Sequence, residues 1–171
     1  MTRYVAFLRG VSPQNARSAD LKCAFEKAGF DNVKTVLSSG NVVFDTNART
    51  ETAIERKIAA VLQAALGRGF YPIVRSAAAL ERLLASEPYY NYKVPTGAKR
   101  VVSFVRAPCR PKVKLPLAAD DACVFGMRGR EVFTAYTPGP KGPVFMRLIE
   151  QAFGTEITTR TWETVRKCAA A

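Results

Sequence analysis

Residues 38 to 44, Ser-Ser-Gly-Asn-Val-Val-Phe, constrain the fold more than any other stretch, because a polar, glycine-containing turn runs directly into apolar residues. Gly supplies a positive φ, and the flanking Ser and Asn can hydrogen-bond their own backbone. The stretch predicts a hairpin turn feeding a buried strand. On each side of it the pattern reads strand, helix, strand. Tyr4 to Leu8 is continuously apolar, as a strand covered on both faces requires. After Arg9-Gly10 and a loop over residues 11–17, Ser18 is the expected N-cap of a helix carrying Leu21, Ala24, Phe25 and Ala28, with Gly29 as its stop. Val33, Thr35 and Leu37 alternate with Lys34, Val36 and Ser38 and predict a half-exposed strand running up to the turn, paired with Asn41 to Asp45. Thr50 caps a second helix whose apolar face is Ile54, Ile58, Val61, Leu62 and Ala65, ended by Gly67. Phe70 to Arg75 completes the set, and Pro72, which lacks a donor, belongs at a sheet edge. These assignments fit a split β-α-β sheet of order 4-1-3-2.

The second half repeats the pattern without repeating the residues. A short helix over residues 77–86 leads to a connector rich in Pro, Tyr and Gly. A strand over 100–107 follows, then a proline-broken stretch from Pro108 to Leu117 and a hairpin of Ala122–Met127 with Glu131–Tyr136 around Gly129. Pro143 opens a helix stopped by Gly154, residues 156–158 form a last strand, and Trp162, Val165 and Ala169 share one side of a terminal helix. The expected class is α+β: two ferredoxin-like lobes in tandem, with antiparallel sheets and helices packed on one face. The expected boundaries are 1–76 for the first lobe, 77–99 for helix and connector, and 100–171 for the second lobe with its terminal helix.

Composition narrows the chemistry. The chain contains no histidine, so Ser-His-Asp and Cys-His catalysis and His-ligated metal are excluded. Cys23, Cys109, Cys123 and Cys168 form no Cys-x-x-Cys pair, and four reduced thiols are expected in a cytoplasmic protein. No cofactor is expected. No signal peptide or membrane-spanning run is visible, so no membrane association is expected and a monomer is the default. The net charge of +12 points to acidic partners, nucleic acid or an anionic small molecule. Only one stretch concentrates it: residues 93–114 hold Lys93, Lys99, Arg100, Arg106, Arg110, Lys112 and Lys114 and no carboxylate.

Four segments also carry a likeness: Tyr4 to Gly10, the Leu21 to Phe30 helix, Ser38 to Phe44, and Thr158 to Val165. Together and in this order they resemble the bacterial family catalogued as domain of unknown function 1697, over nearly the whole chain. The resemblance implies an α+β fold of two ferredoxin-like lobes making one family domain, and no established activity. The chain departs from many members at Val11 to Asn15, where an Asn-Val-Gly-Gly-type loop is common. It departs again at Thr161, where Asn is common, and at Pro138 to Pro143.

Candidate ligand-binding residues follow from position. Arg9 ends the first strand beside a loop, where sites gather. Ser38, Ser39 and Asn41 offer hydroxyls and an amide, although such residues also simply satisfy a turn. Arg160, Thr161 and Trp162 join a cation, a hydroxyl and an aromatic plane at a strand-to-helix junction, with Trp162 equally readable as a core anchor. Lys141 beside Gly142 lacks the order of a P-loop. Tyr90, Tyr92, Lys99, Arg100, Lys112 and Lys114 combine aromatic faces with cations, as a surface tracking nucleic acid would; tyrosines packing the connector are the competing explanation. The leading expectation is a non-catalytic binding protein for an anionic partner, a phosphorylated small molecule or nucleic acid, held between the lobes. The alternatives are an enzyme using Arg9 and Arg160 as anion clamps, without His or metal, and a protein-protein interaction module.

Overall fold

A computed structural model describes residues 1–171. Two compact units make up the chain: Met1–Ala85 together with Thr164–Ala171, and Ser86–Glu163.

The first unit carries β1 (Thr2–Arg9), α1 (Ser18–Lys27), β2 (Asp31–Thr35), β3 (Asn41–Thr46), α2 (Glu51–Leu66), β4 (Tyr71–Ser76) and α3 (Ala77–Ala85). Its sheet is ordered β2-β3-β1-β4, which is 4-1-3-2 read from the other edge, and all its pairings are antiparallel. Pro72 sits in the edge strand β4, opposite Leu8. Edge strands need protection from stray pairing, and this one has two devices on its open side. Pro72 has no N–H to offer, and the N–H of Val74, two residues on, is taken by the buried Glu55 carboxylate of α2 at 2.9 Å.

Alternation along β1 divides the core. Tyr4, Ala6 and Leu8 join Val42, Phe44 and Val74 beneath α1 and α2, with Phe25, Ile54, Ile58 and Leu62 supplied by the helices. Val5 and Phe7 face the other way and are also fully buried, which is why this strand reads as continuously apolar. The expectation of helices on one face only is corrected here. Helix α3 packs on β1 and β4, yet neither Ala77 nor Leu80, its buried residues, belongs to the α1/α2 cluster; α3 lies on the opposite face.

Thr50 caps α2 through its side chain, and Gly67 ends the helix in a left-handed conformation at φ 68°. In α1 the cap shifts by one residue: Arg17 is the extended N-cap, without a side-chain cap bond, and Ser18 is already helical. Arg17 instead clasps the first-turn Asp20 at 2.9 Å, so the charge that favours this helix start comes from a neighbouring pair rather than from a hydroxyl.

The second unit carries β5 (Lys99–Val105), β6 (Leu117–Ala119), β7 (Ala122–Arg128), β8 (Glu131–Tyr136), α4 (Val144–Phe153) and β9 (Ile157–Thr161). The five strands are ordered β6-β7-β8-β5-β9. Its four longer strands therefore follow the same spatial order as the first sheet, and β6, which the sequence analysis leaves within the proline-broken stretch, adds an edge. No helix forms between β5 and β7. Residues 106–116 cross as an irregular strap, in which Pro108, Pro111 and Pro116 deny the backbone donors a helix needs. Helix α4 covers Val124, Val132 and Ile157 with Leu148 and Ile149, and Leu115 of the strap packs against this cluster.

Helix α5 (Trp162–Ala170) starts at the end of the second unit, and its residues from Thr164 onward belong to the first. The sequence places the terminal helix with the second half. What ties its end to the first unit is chemical: Arg3 of β1 and Lys34 of β2 both donate to the Ala171 carbonyl at 2.9 Å, and Val165 and Cys168 are fully buried.

Candidate functional site

Backbone pairing assembles the polar turn and the end of β1. Phe7 is paired with Asn41, and one residue further the Leu8 N–H donates to the Gly40 carbonyl at 2.8 Å. Gly40 has φ 77°, and a Cβ there would lie 2.7 Å from Val11 Cβ and 3.0 Å from the Leu8 carbonyl. Only glycine lets the turn lie this close to the strand end. Strand β2 stops at Thr35, earlier than the alternation predicts, because Leu37 adopts φ 59° and takes the chain out of the ladder. The turn is closed by Asn41: its backbone carbonyl accepts from the Val36 N–H at 2.9 Å, and its side-chain amide donates to the Val36 carbonyl at 2.9 Å and to Ser39 Oγ at 3.0 Å. Asn41 is buried and both of its amide protons serve the turn.

Ser38 and Ser39 remain exposed, and Arg9 is half-buried at the adjoining strand end, opposite Tyr71 of β4. The following loop is held by Asn15, which accepts from the Ser12 N–H at 2.9 Å and donates to the Gly10 carbonyl at 2.7 Å. Three segments therefore meet at this end of the sheet, residues 7–16, 36–44 and 67–74. They contain Arg9 and Arg68 and no carboxylate.

In the second unit, Arg160 donates to Thr158 Oγ1 and to the Thr159 carbonyl, both at 2.8 Å, within its own strand. Thr161 is exposed. Trp162 is buried and meets Tyr89 edge-on at 5.3 Å between ring centroids. Thr159 shares a hydrogen bond with Ser103 across the sheet at 2.7 Å.

The tyrosine connector divides in the same way. Tyr89 is buried, donates to the Val101 carbonyl and packs edge-on against Phe133, and Arg100 lies over its ring at 5.6 Å. Burial pushes the Tyr89 phenol far above its ordinary range. Tyr92 stacks on Phe125 at 4.9 Å and 13°. Its hydroxyl lies 2.6 Å from where a Cβ of Gly126 would stand, so the glycine makes room for it. Phe125 sits where the β7–β8 register shifts, and such a bulge re-aims a side chain. Two tyrosines thus pack on the sheet and Tyr90 alone, 85% exposed, presents its ring to solvent. Lys99, Arg100, Lys112 and Lys114 are all exposed.

Sequence reasoning sees the Lys141 loop but not the pocket it borders. A cavity of about 350 Å³ is lined by Asp120, Asp121, Tyr136, Lys141, Val144 and Phe145 among others, with Tyr136 stacked on Phe145 at 4.0 Å. Lys141 Nζ is 2.9 Å from Asp120 Oδ1. The hydrogen bond between them holds the Asp120 carboxyl below and the Lys141 ammonium above their ordinary values. Asp121 adds a second negative charge to the same wall. A phosphate here would meet a cation already answered by two carboxylates. No group of His, Cys, Asp and Glu is arranged to hold a metal ion, and no helix is long and apolar enough to cross a membrane.

The family described as protein of unknown function (DUF1697) matches residues 1–133. The chain belongs to this family. The DUF1697 match takes in Arg9, the 36–41 turn, the connector and the strap, and stops before Lys141 and the Arg160 to Trp162 segment. No curated protein matches the chain. Among solved structures, the conserved bacterial protein SP0830 from Streptococcus pneumoniae is similar in fold, with a TM-score of 0.69 at 15% identity, over 99% of this chain and 97% of that one. At that identity the likeness concerns the fold alone.

Proposed function

We propose that this DUF1697 protein is a non-catalytic binding protein for an anionic small molecule carrying a phosphate, built from two ferredoxin-like units, the second with a strap in place of its first helix. The common order of the four longer strands supports the fold reading. The ligand contacts are Arg9, Ser38 and Ser39, with backbone N–H groups of the turn.

The observation that carries this reading is the sign of the charge. The end of the first sheet, where β1 stops and β3 and β4 begin, is formed by segments with two arginines and no carboxylate, whereas the 350 Å³ pocket of the second unit has two aspartates on its wall. Arg9, half-buried at the strand end, and the exposed hydroxyls of Ser38 and Ser39 on the adjoining turn offer charge-assisted and neutral hydrogen bonds to phosphate oxygens. The turn is also pre-organised by Asn41 and by the close approach of Gly40, which lowers the ordering cost of binding. Leu37 supports the reading further. It is 51% exposed, and a leucine in left-handed conformation costs about 1–2 kcal/mol, so the turn shape is imposed at some expense to stability.

Untargeted mass spectrometry of small molecules released from natively purified protein tests the proposal. A phosphorylated compound should accompany the wild type and be absent from Arg9→Ala. Recovery of the same compound from both proteins would overturn the assignment to Arg9.

A further inference from the structure

The strap is the largest concentration of charge that the Arg9 site leaves unused. Along residues 110–115 burial alternates: Arg110, Lys112 and Lys114 are exposed, while Pro111, Val113 and Leu115 are half-buried, Leu115 against the α4 cluster. Three exposed cations thus alternate with half-buried neighbours, their Cα atoms each no more than about 7 Å from the next along the chain, and Lys112 Nζ lies beside Gly154 at the end of α4. No carboxylate lies within salt-bridge distance of Arg110, Lys112 or Lys114, in contrast to Lys141 with its Asp120. The row is fastened at several points. Arg130 donates to the Arg106 carbonyl at 3.0 Å, and the Lys112 N–H donates to the Ala152 carbonyl at the end of α4 at 2.7 Å. Three prolines restrict the backbone between them.

We propose that this strap is a sequence-independent track for the backbone of single-stranded nucleic acid, separate from the Arg9 site. Its chemistry selects that partner. The apolar residues of the row are half-buried, with Leu115 packed in the α4 cluster, so it presents no large exposed apolar side chain to a lipid surface or an apolar peptide. Two of its three cations are lysines, which act as point charges without the planar fork that reads a base edge. What such a row complements is a chain with one negative charge per repeat, flexible enough to follow a short, bent strap, and a stiff duplex is not. With one arginine fork against two lysine point charges, binding should be largely non-specific and dominated by counterion release.

Fluorescence anisotropy with a labelled oligothymidylate of about 20 nucleotides, titrated across a salt series, tests this. Three neutralised phosphates predict a log-log slope of roughly −2, at about −0.7 each for a single strand. The double variant Arg110→Ala/Lys114→Ala leaves Lys112 at the helix end and should flatten the slope to roughly −0.7, weakening binding about tenfold or more at 0.1 M salt. Arg110→Lys/Lys114→Arg should keep the wild-type slope, and Arg9→Ala should leave it unmoved. Matching thermal melts of the variants show that the fold is retained. The proposal is overturned by any of three results: absence of binding at about 50 mM salt, a slope that the alanine pair does not change, or equal affinity for polyglutamate of similar length, which would make the strap a surface for acidic proteins.

Discussion

Replacing Gly40 by Ala separates two costs that a glycine can hide. At φ 77° any non-glycine residue bears a left-handed penalty of about 1–2 kcal/mol, offset by about 0.4–1 kcal/mol from a less flexible unfolded chain. Gly40 carries a second cost, because its Cβ would stand 2.7 Å from Val11 Cβ and 3.0 Å from the Leu8 carbonyl. Neither neighbour is the loose end of a long side chain. Overpacking of this kind costs typically about 1–3 kcal/mol, so Gly40→Ala should destabilise by roughly 2–4 kcal/mol in all. Gly67 is the control: it has φ 68° and nothing within 4 Å of the same position, so Gly67→Ala should cost about 1 kcal/mol or less. Urea unfolding followed by circular dichroism measures both. With a urea m-value of about 1–3 kcal/mol/M, the Gly40 midpoint should fall about 1 M below that of Gly67→Ala. Equal midpoints would mean that the turn is not held against the strand end, and the assembly of the proposed site would lose its physical basis.

Further outcomes follow from buried polar groups and thiols. Thr134 Oγ1 is buried without a hydrogen-bond partner, so Thr134→Val, which removes the orphan hydroxyl at nearly constant shape, should be neutral or stabilising by about 1 kcal/mol in the same urea assay; a clear loss would show that the hydroxyl is bonded. Burial raises the Tyr89 phenol above its ordinary value, so its stability contribution is complete below the unfolded pKa, about 10, and is lost as pH rises towards the higher folded value. Ultraviolet titration should therefore find one phenol that ionises only as the protein unfolds, and Tyr89→Phe should remove that step. Cys23 and Cys109 are exposed, Cys123 is half-buried and Cys168 is buried, all as free thiols. A thiol reagent should modify two quickly in native protein and all four in denaturant without reductant; fewer than four would indicate a disulfide or modification.

Much of the first sheet was legible because backbone chemistry leaves few choices. Pro72 cannot donate and lies at an edge; Thr50 and Gly67 cap α2 by the rules of free helix-end groups; and the apolar run of β1 records burial on two faces. What sequence reasoning missed depends on which residues pair, locally as well as across the fold, rather than on single-residue preferences. The start of α1 moved to Arg17 through its pairing with Asp20, and β6 exists only by pairing with β7. The facing side of α3 is decided by tertiary packing, which a short helical period does not encode. At the candidate sites, the pairing of Phe7 with Asn41 brings the turn to Arg9, and no spacing predicts that register. Gly126 was a readable signal, since an isolated glycine in a strand marks a bulge or a close approach, and Tyr92 is what approaches. The alternation of exposed cations with half-buried Pro111, Val113 and Leu115 lies in a stretch that the sequence analysis reads only as proline-broken.

The central claim is that an anion is held where the 36–41 turn meets the end of β1, and amide chemical-shift mapping tests it most directly. On addition of inorganic phosphate or a simple phosphomonoester to labelled protein, the account predicts saturable shifts at Gly10 to Ser12 and Leu37 to Gly40 that vanish in Arg9→Ala. Saturable shifts confined to the Lys141 to Gly142 loop, or none at millimolar ligand, would contradict it.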